Sequence, residues 1–243
     1  MNCVILQPSY IPWRGYFHLI QKADVFIFYD TPQYDKHGWR NRNRIKTLTG
    51  TQWLTIPVLA KGNITTHVPI KDVLCDPKQN WSRKHWATLK QVYGKAPYFP
   101  RYAPLLERFY AGQPQLLADF TIEITVALAR ELGLDKTRFV RSSELQVPEA
   151  TKTDALLVML HAVQATHYIS GPSAKDYLEE DKFHAAGIGL EYMAYQYPEY
   201  EQLYPPFDPY VSILDLLFMV GLDAPKYIWD FPGLDAVPPS RKT

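Results

Sequence analysis

NCVILQPSYIPWRGYFHLIQKADVFIFYDTPQYDKHGWRNRNRIK, residues 2–46, is the stretch around which the fold is decided. Cys3 to Leu6 is an apolar run too short for a helix and suited to a buried strand. Gln7-Pro8-Ser9 ends it, and Pro12 and Gly15 punctuate the loop beyond. Phe17, Leu19, Ile20 and Ala23 then recur at helical spacing, and Val25–Phe28 forms a second buried run that closes at Tyr29-Asp30. Strand, loop, helix and strand in that order predict a βαβ unit, whose strands are parallel and whose ligands gather at their carboxyl ends. Gln7, Ser9, Tyr10, Trp13, Arg14, Gly15, Tyr16 and His18 lie after or near the first strand, and Asp30, Gln33, Tyr34, Asp35, Lys36 and His37 after the second.

Working outward, Arg44–Leu48 and Thr51–Val58 read as a hairpin across Thr49-Gly50, and Thr65–Val73 as a further short strand. Helices are expected over Gln79–Tyr93, near Tyr102–Tyr110 and over Gln113–Leu132, where an i, i+3/i+4 stripe from Leu116 to Leu132 is ordinary core. Thr137–Val140, Thr166–Ser170 and Gly189–Tyr195 are strand candidates. Asp154–Gln164, Leu178–Ala186 and Ile213–Val220, the last behind Ser212, are helix candidates. This alternation predicts an α/β fold with a mostly parallel, Rossmann-like sheet flanked by helices. One domain is expected over residues 1–236, with a helical elaboration at about 79–133 and a disordered tail at 237–243.

Composition narrows the function. The 243 residues carry a formal net charge of +1, so the chain as a whole is no polyanion binder; its positive charge is local, in Lys36, Arg40, Arg42, Arg44 and Lys46. Cys3 and Cys75 make no disulfide framework, no apolar run approaches a membrane span, and no signal peptide opens the chain, so a cytoplasmic protein is expected. Aromatic residues reach 14%, and many are Tyr or Trp beside Pro or charge, which suits a pocket with stacking faces as well as wet-edged core packing.

Three constellations carry chemistry. In Trp39-Arg40-Asn41-Arg42-Asn43-Arg44 the arginines alternate, so an extended chain would place three guanidiniums on one face, suited to phosphate or carboxylate; the competing account is a solvated edge strand. Asp30, His37 and His18 are candidates for acid–base work, whereas their spacing with Asp35 matches no metal template, and no metal is expected. Ser170-Gly171-Pro172 with Lys175 has the outline of an anion cradle at a strand end, or of an ordinary βα turn. The ring-rich Tyr195–Tyr210 segment would act as a lid or as surface paving.

QPSYIPWRGYFHLI, ADVFIFYDTPQYDKHGWRNRNRIK with QWLTIPV after it, THYISGPSAKDYL and YPEYEQLYPPFDPYVSILDLLF together resemble the WbqC-like family; Met219 stands where that pattern has Asn. The resemblance implies a link to bacterial surface-polysaccharide (O-antigen) gene clusters and transfer of glycine onto an amino sugar. It points to a transferase acting on a nucleotide-sugar or other anionic small molecule. The donor would be an activated amino acid, for which a charged tRNA is one source. An ATP-using nucleotidyltransferase-like or amide-forming ligase and a non-catalytic nucleotide- or carbohydrate-binding protein are the alternatives. A more distant likeness of the opening strand, turn and helix is to HIGH-type nucleotidyltransferases. Their H-x-G-H histidines are replaced here by Trp13 and Tyr16 around Gly15.

Overall fold

The computed structural model describes residues 1–36, 38–59 and 67–231. In chain order the elements are β1 (Asn2–Leu6), α1 (Arg14–Lys22), β2 (Val25–Phe28), β3 (Arg42–Thr47) and β4 (Gly50–Thr55). Helices α2 (Trp81–Tyr93), α3 (Phe99–Ala111) and α4 (Leu117–Glu131) follow, then β5 (Arg138–Arg141), α5 (Lys152–Ala162), β6 (His167–Ser170), α6 (Glu180–Ala185), β7 (Gly189–Tyr192) and α7 (Ile213–Val220). Five strands form one parallel sheet in the order β5-β2-β1-β6-β7, and β3 and β4 form a separate antiparallel hairpin.

The sheet is apolar because both of its faces are covered. Alternate side chains of the two central strands serve opposite sides. Val4, Phe26 and Phe28 join one core with α1 to α4 and α7; Cys3, Ile5, Val25 and Ile27 join another with α5 and α6. Each large side chain taken fully out of water on either face contributes about 1.5–3 kcal/mol.

The strand order is that of a Rossmann-like fold. From β1 the chain winds outward through β2 to β5, then returns to the other side of β1 for β6 and β7, so the direction of winding reverses between β1 and β6. Those two strands also part there: their register covers only Asn2↔His167 and Cys3↔Tyr168, while β1 pairs with β2 as far as Leu6↔Phe28. A crevice opens at their carboxyl ends.

Three expected boundaries move for local reasons. Helix α4 starts at Leu117 because Gln115 and Leu117 are drawn into backbone bonds with Cys75 and Val73, which hold the residues before it extended. Helix α3 starts at Phe99, since Pro100 in a first turn needs no donor. The expected Thr65–Val73 strand is no ladder among its described residues: Pro69 makes one bridge to Gln33, and Ile70–Asp72 is a 3-10 turn. The expected tail at 237–243 lies outside the described residues. No described helix is long and apolar enough to cross a membrane.

Candidate functional site

A cavity of about 530 Å³ fills the crevice, within the range of small-molecule sites. Its floor is Leu6, Gln7 and Ser9 from the end of β1, with Trp13, Tyr16 and Leu19 from α1 and its approach. One wall is Trp39, Arg40, Asn43 and Arg44; the facing wall is Ser170 to Ala174 with Tyr177, and Tyr195 and Tyr210 complete the rim. Of the residues expected at a site, Gln7, Ser9, Trp13, Tyr16, Trp39, Arg40, Asn43, Arg44, Ser170, Gly171 and Pro172 are brought together here.

Backbone and side-chain bonds explain how segments distant in sequence meet. Asn43 Nδ2 donates to the carbonyls of Tyr10 (3.0 Å) and Ile11 (2.9 Å), and the Tyr10 amide donates to the Trp39 carbonyl, so the β1–α1 loop is stitched to the basic run. The Ser212 amide donates to the Arg44 carbonyl and that of Ile213 to the Pro12 carbonyl, which seats the ring-rich segment beside both. Buried Arg14 fixes that segment further. Its Nη1 donates to the Pro198 carbonyl at 2.8 Å, and its guanidinium lies 4.8 Å from the Tyr197 ring centre and 5.6 Å from that of Tyr200. Asp215, fully buried, accepts from Tyr93, Tyr200 and Gln202; burial raises its pKa and these donors oppose the rise. These bonds tie residues 195–210 to α1 and α7 beside the cavity. Arg14 stands in the sequence among the polar and aromatic residues after the first strand, but its hold on this segment is not legible there, and Asp215 does not stand out at all, because their partners are more than ten residues away.

Gly15 is required by Trp13. A Cβ at position 15 would come within 2.3 Å of the Trp13 indole, which rests on that glycine and meets Tyr195 edge-on at 4.9 Å. Gly15→Ala is expected to destabilise the protein by about 1–3 kcal/mol through overpacking, outweighing the roughly 1 kcal/mol that alanine gains in a helix. A urea melt decides the sign, and a variant more stable than the parent would refute the contact.

Two guanidiniums face the cavity. Arg40 precedes β3 and turns inward, its Nη1 donating to Gln7 Oε1, while Tyr16 Oη donates to the Gln7 carbonyl at 3.2 Å. Burial lowers the Arg40 pKa, with Tyr16, Asp35 and Tyr34 acting against it. The Nε atoms of Arg40 and Arg44 are buried and have no hydrogen-bond partner among the described residues. Both residues line the cavity, and guanidiniums there are suited to an anion. Arg14 Nε is unsatisfied too, but it points among rings and does not line the cavity.

Other expected site residues lie elsewhere. Arg42 shares the outer face of β3 with Arg44 and stacks 4.6 Å from the Trp53 ring centre, so the three arginines do not form one row: the strand begins only at Arg42. Lys175 is exposed and sits 5.1 Å over Tyr192, and Pro172, which has no N–H, opens the five-residue 3-10 turn beneath it. Tyr10 is wholly buried against His85 Nδ1 (2.9 Å) and Tyr110 Oη (2.6 Å). Tyr34 is buried in the core, Asn41 holds the Ile56 carbonyl, and Gln33 meets His67 at 2.8 Å.

The acid–base candidates are also placed apart from the cavity. Asp30 is fully buried and fastened to Arg141, Ser142 and Ser143 at the end of β5, because β2 pairs with that strand. His18 is buried on α1 with its Nδ1 3.0 Å from Tyr197 Oη; burial pushes its pKa down to about 4, so it is neutral at physiological pH. His37 lies outside the described residues. No Asp, Glu or His lines the cavity among the described residues, and none of these residues form a metal-holding cluster. Ser173, Tyr195 and Tyr210 also line it, within stretches that stand out in the sequence by turn chemistry and ring content, as does Tyr177 just beyond the first of them.

A curated protein of Mycobacterium tuberculosis, uncharacterized protein Rv1507c, is 41% identical over 226 residues, covering 92% of this chain and 96% of that protein. No solved structure matches significantly. The model of the WbqC-like protein family matches residues 7–227, and the chain belongs to that family.

Proposed function

We propose that the cavity binds a nucleotide-linked amino sugar and that the protein transfers an aminoacyl group, glycyl being the smallest case, onto its amine. The observation that carries this reading is the pair of arginines, Arg40 and Arg44, lining a ring-rich cavity at the switch point of a Rossmann-like sheet. Two forked donors suit a diphosphate, and Trp13 with the tyrosines offers faces for a sugar ring. The link of the resembled family to surface-polysaccharide clusters supplies the substrate class.

The chemistry does not require a carboxylate in the wall. Nearby guanidiniums disfavour an ammonium, so the acceptor amine is held as the free base and is nucleophilic at neutral pH. Its nitrogen forms the bond to the acyl carbon, the bond from that carbon to the leaving oxygen breaks, and the amine proton passes to that oxygen. The cavity contributes chiefly by holding the two reactants together.

A non-catalytic binding protein is the second reading, favoured by the lack of Asp, Glu or His among the described lining residues. Titration of the full chain with UDP- and dTDP-linked amino sugars, followed by incubation with an activated glycine ester, separates them. Saturable binding and an amide-linked product are expected. Binding without product leaves the second reading, and no binding removes both.

A further inference from the structure

The β3–β4 hairpin has two faces. Asn43, Ile45 and Leu54 are buried on one, while Arg42, Arg44 and Trp53 occupy the other, with Trp53 directly opposite Arg44 in register. On that outer face the Trp39 and Trp53 ring centres lie 5.3 Å apart. The Arg44 guanidinium is 5.8 Å from the Trp39 ring, 5.6 Å from that of Trp53 and 5.7 Å from that of Tyr210. Both indoles remain almost half in water, at 44% and 43% exposure. A tryptophan carries the largest apolar surface of any side chain, so two left half-exposed side by side mark a surface with a use. The patch is continuous with the cavity, because Trp39, Arg44 and Tyr210 belong to both.

We infer that Trp53, with Trp39 and Arg42, is an outer subsite that stacks the heteroaromatic base of a nucleotide whose phosphates sit at Arg40 and Arg44. The inference rests on reading the cavity as a phosphate seat. Arg44 is the hinge of the argument: it lines the cavity and also touches the shelf, so a ligand anchored on it has its next ring placed on the indoles. Indole and guanidinium planes both stack on a base, tolerant of which base it is. A single mononucleotide fits the charge better than a nucleic-acid strand, since the chain as a whole carries only +1.

Calorimetric titration of the full chain with UDP and dTDP, and separately with inorganic pyrophosphate, tests this. The nucleotides are expected to bind at least about tenfold more tightly than pyrophosphate. Trp53→Ala should weaken nucleotide binding by about tenfold while leaving pyrophosphate within about twofold, and Trp53→Phe should keep most of the nucleotide affinity. Pyrophosphate bound as tightly as the nucleotides, or Trp53→Ala without effect on them, overturns the subsite and leaves the phosphate seat standing. Binding of none of the three ligands removes both. A dT oligomer bound far more tightly than dTDP, or a dimer in light scattering that Trp53→Ala dissolves, would give the shelf to a strand or to a second copy of the chain and also overturns the inference.

Discussion

Replacing Asp30 by alanine is expected to cost about 3–5 kcal/mol of stability, out of a total of roughly 5–15 kcal/mol for a typical domain, while leaving ligand affinity in the folded fraction unchanged. The carboxylate is wholly inaccessible and accepts four bonds. Oδ1 takes Ser142 Oγ (2.9 Å) and the Ser143 amide (3.0 Å), and Oδ2 takes Arg141 Nε (2.9 Å) and Ser143 Oγ (2.8 Å). Arg141 reaches on to Asp119 in α4 at 2.6 Å, so one residue joins the ends of two strands to the helical layer. Removing it leaves two hydroxyls without their acceptor and Arg141 with Asp119 alone, and that penalty rather than any lost catalysis dominates. Urea unfolding gives the stability and calorimetry with a nucleotide sugar gives the affinity. A variant as stable as the parent but unable to turn over substrate would return Asp30 to a catalytic role.

Arg40→Ala is expected to do the opposite: affinity for a phosphorylated ligand should fall by roughly a hundredfold or more, with stability unchanged or higher. Its guanidinium lines the cavity, with Nε unpartnered among the described residues and Nη1 bonded to Gln7, so the folded protein without ligand gains little from it. Sites that carry unsatisfied charge for a ligand's sake trade stability for function. Arg40→Lys should recover only part of the affinity, because a point charge cannot offer two parallel donors. Thermal melts beside calorimetric titrations separate the cases. A large stability loss with affinity retained would make Arg40 a structural residue and undo the phosphate seat.

Much of the fold is legible in local pattern. The runs Cys3–Leu6 and Val25–Phe28 are strands because both faces of a parallel sheet exclude water, and an unbroken apolar run is what that demands. Helix α7 runs from Ile213 to Val220 as expected, with Ser212 accepting from the Leu214 amide. Helix starts were less legible where tertiary bonds competed with helix formation, as at Gln115 and Leu117. Within the cavity, Gln7 and Trp13 are apparent from residue type and position after β1, and Arg40 from the alternating basic run.

What the chain alone determined is the inventory: a βαβ opening, a basic run alternating with Asn, and a turn after β6. What only the tertiary structure decided is which strand end would face β1 across the crevice. Local pattern favours β2, and with it Asp30; the return of the chain to the far side of β1 puts β6 there instead and leaves Asp30 sealed against β5. Strand order arises from the packing of helices on both sheet faces, a sum of long-range contacts to which no short window of residues has access.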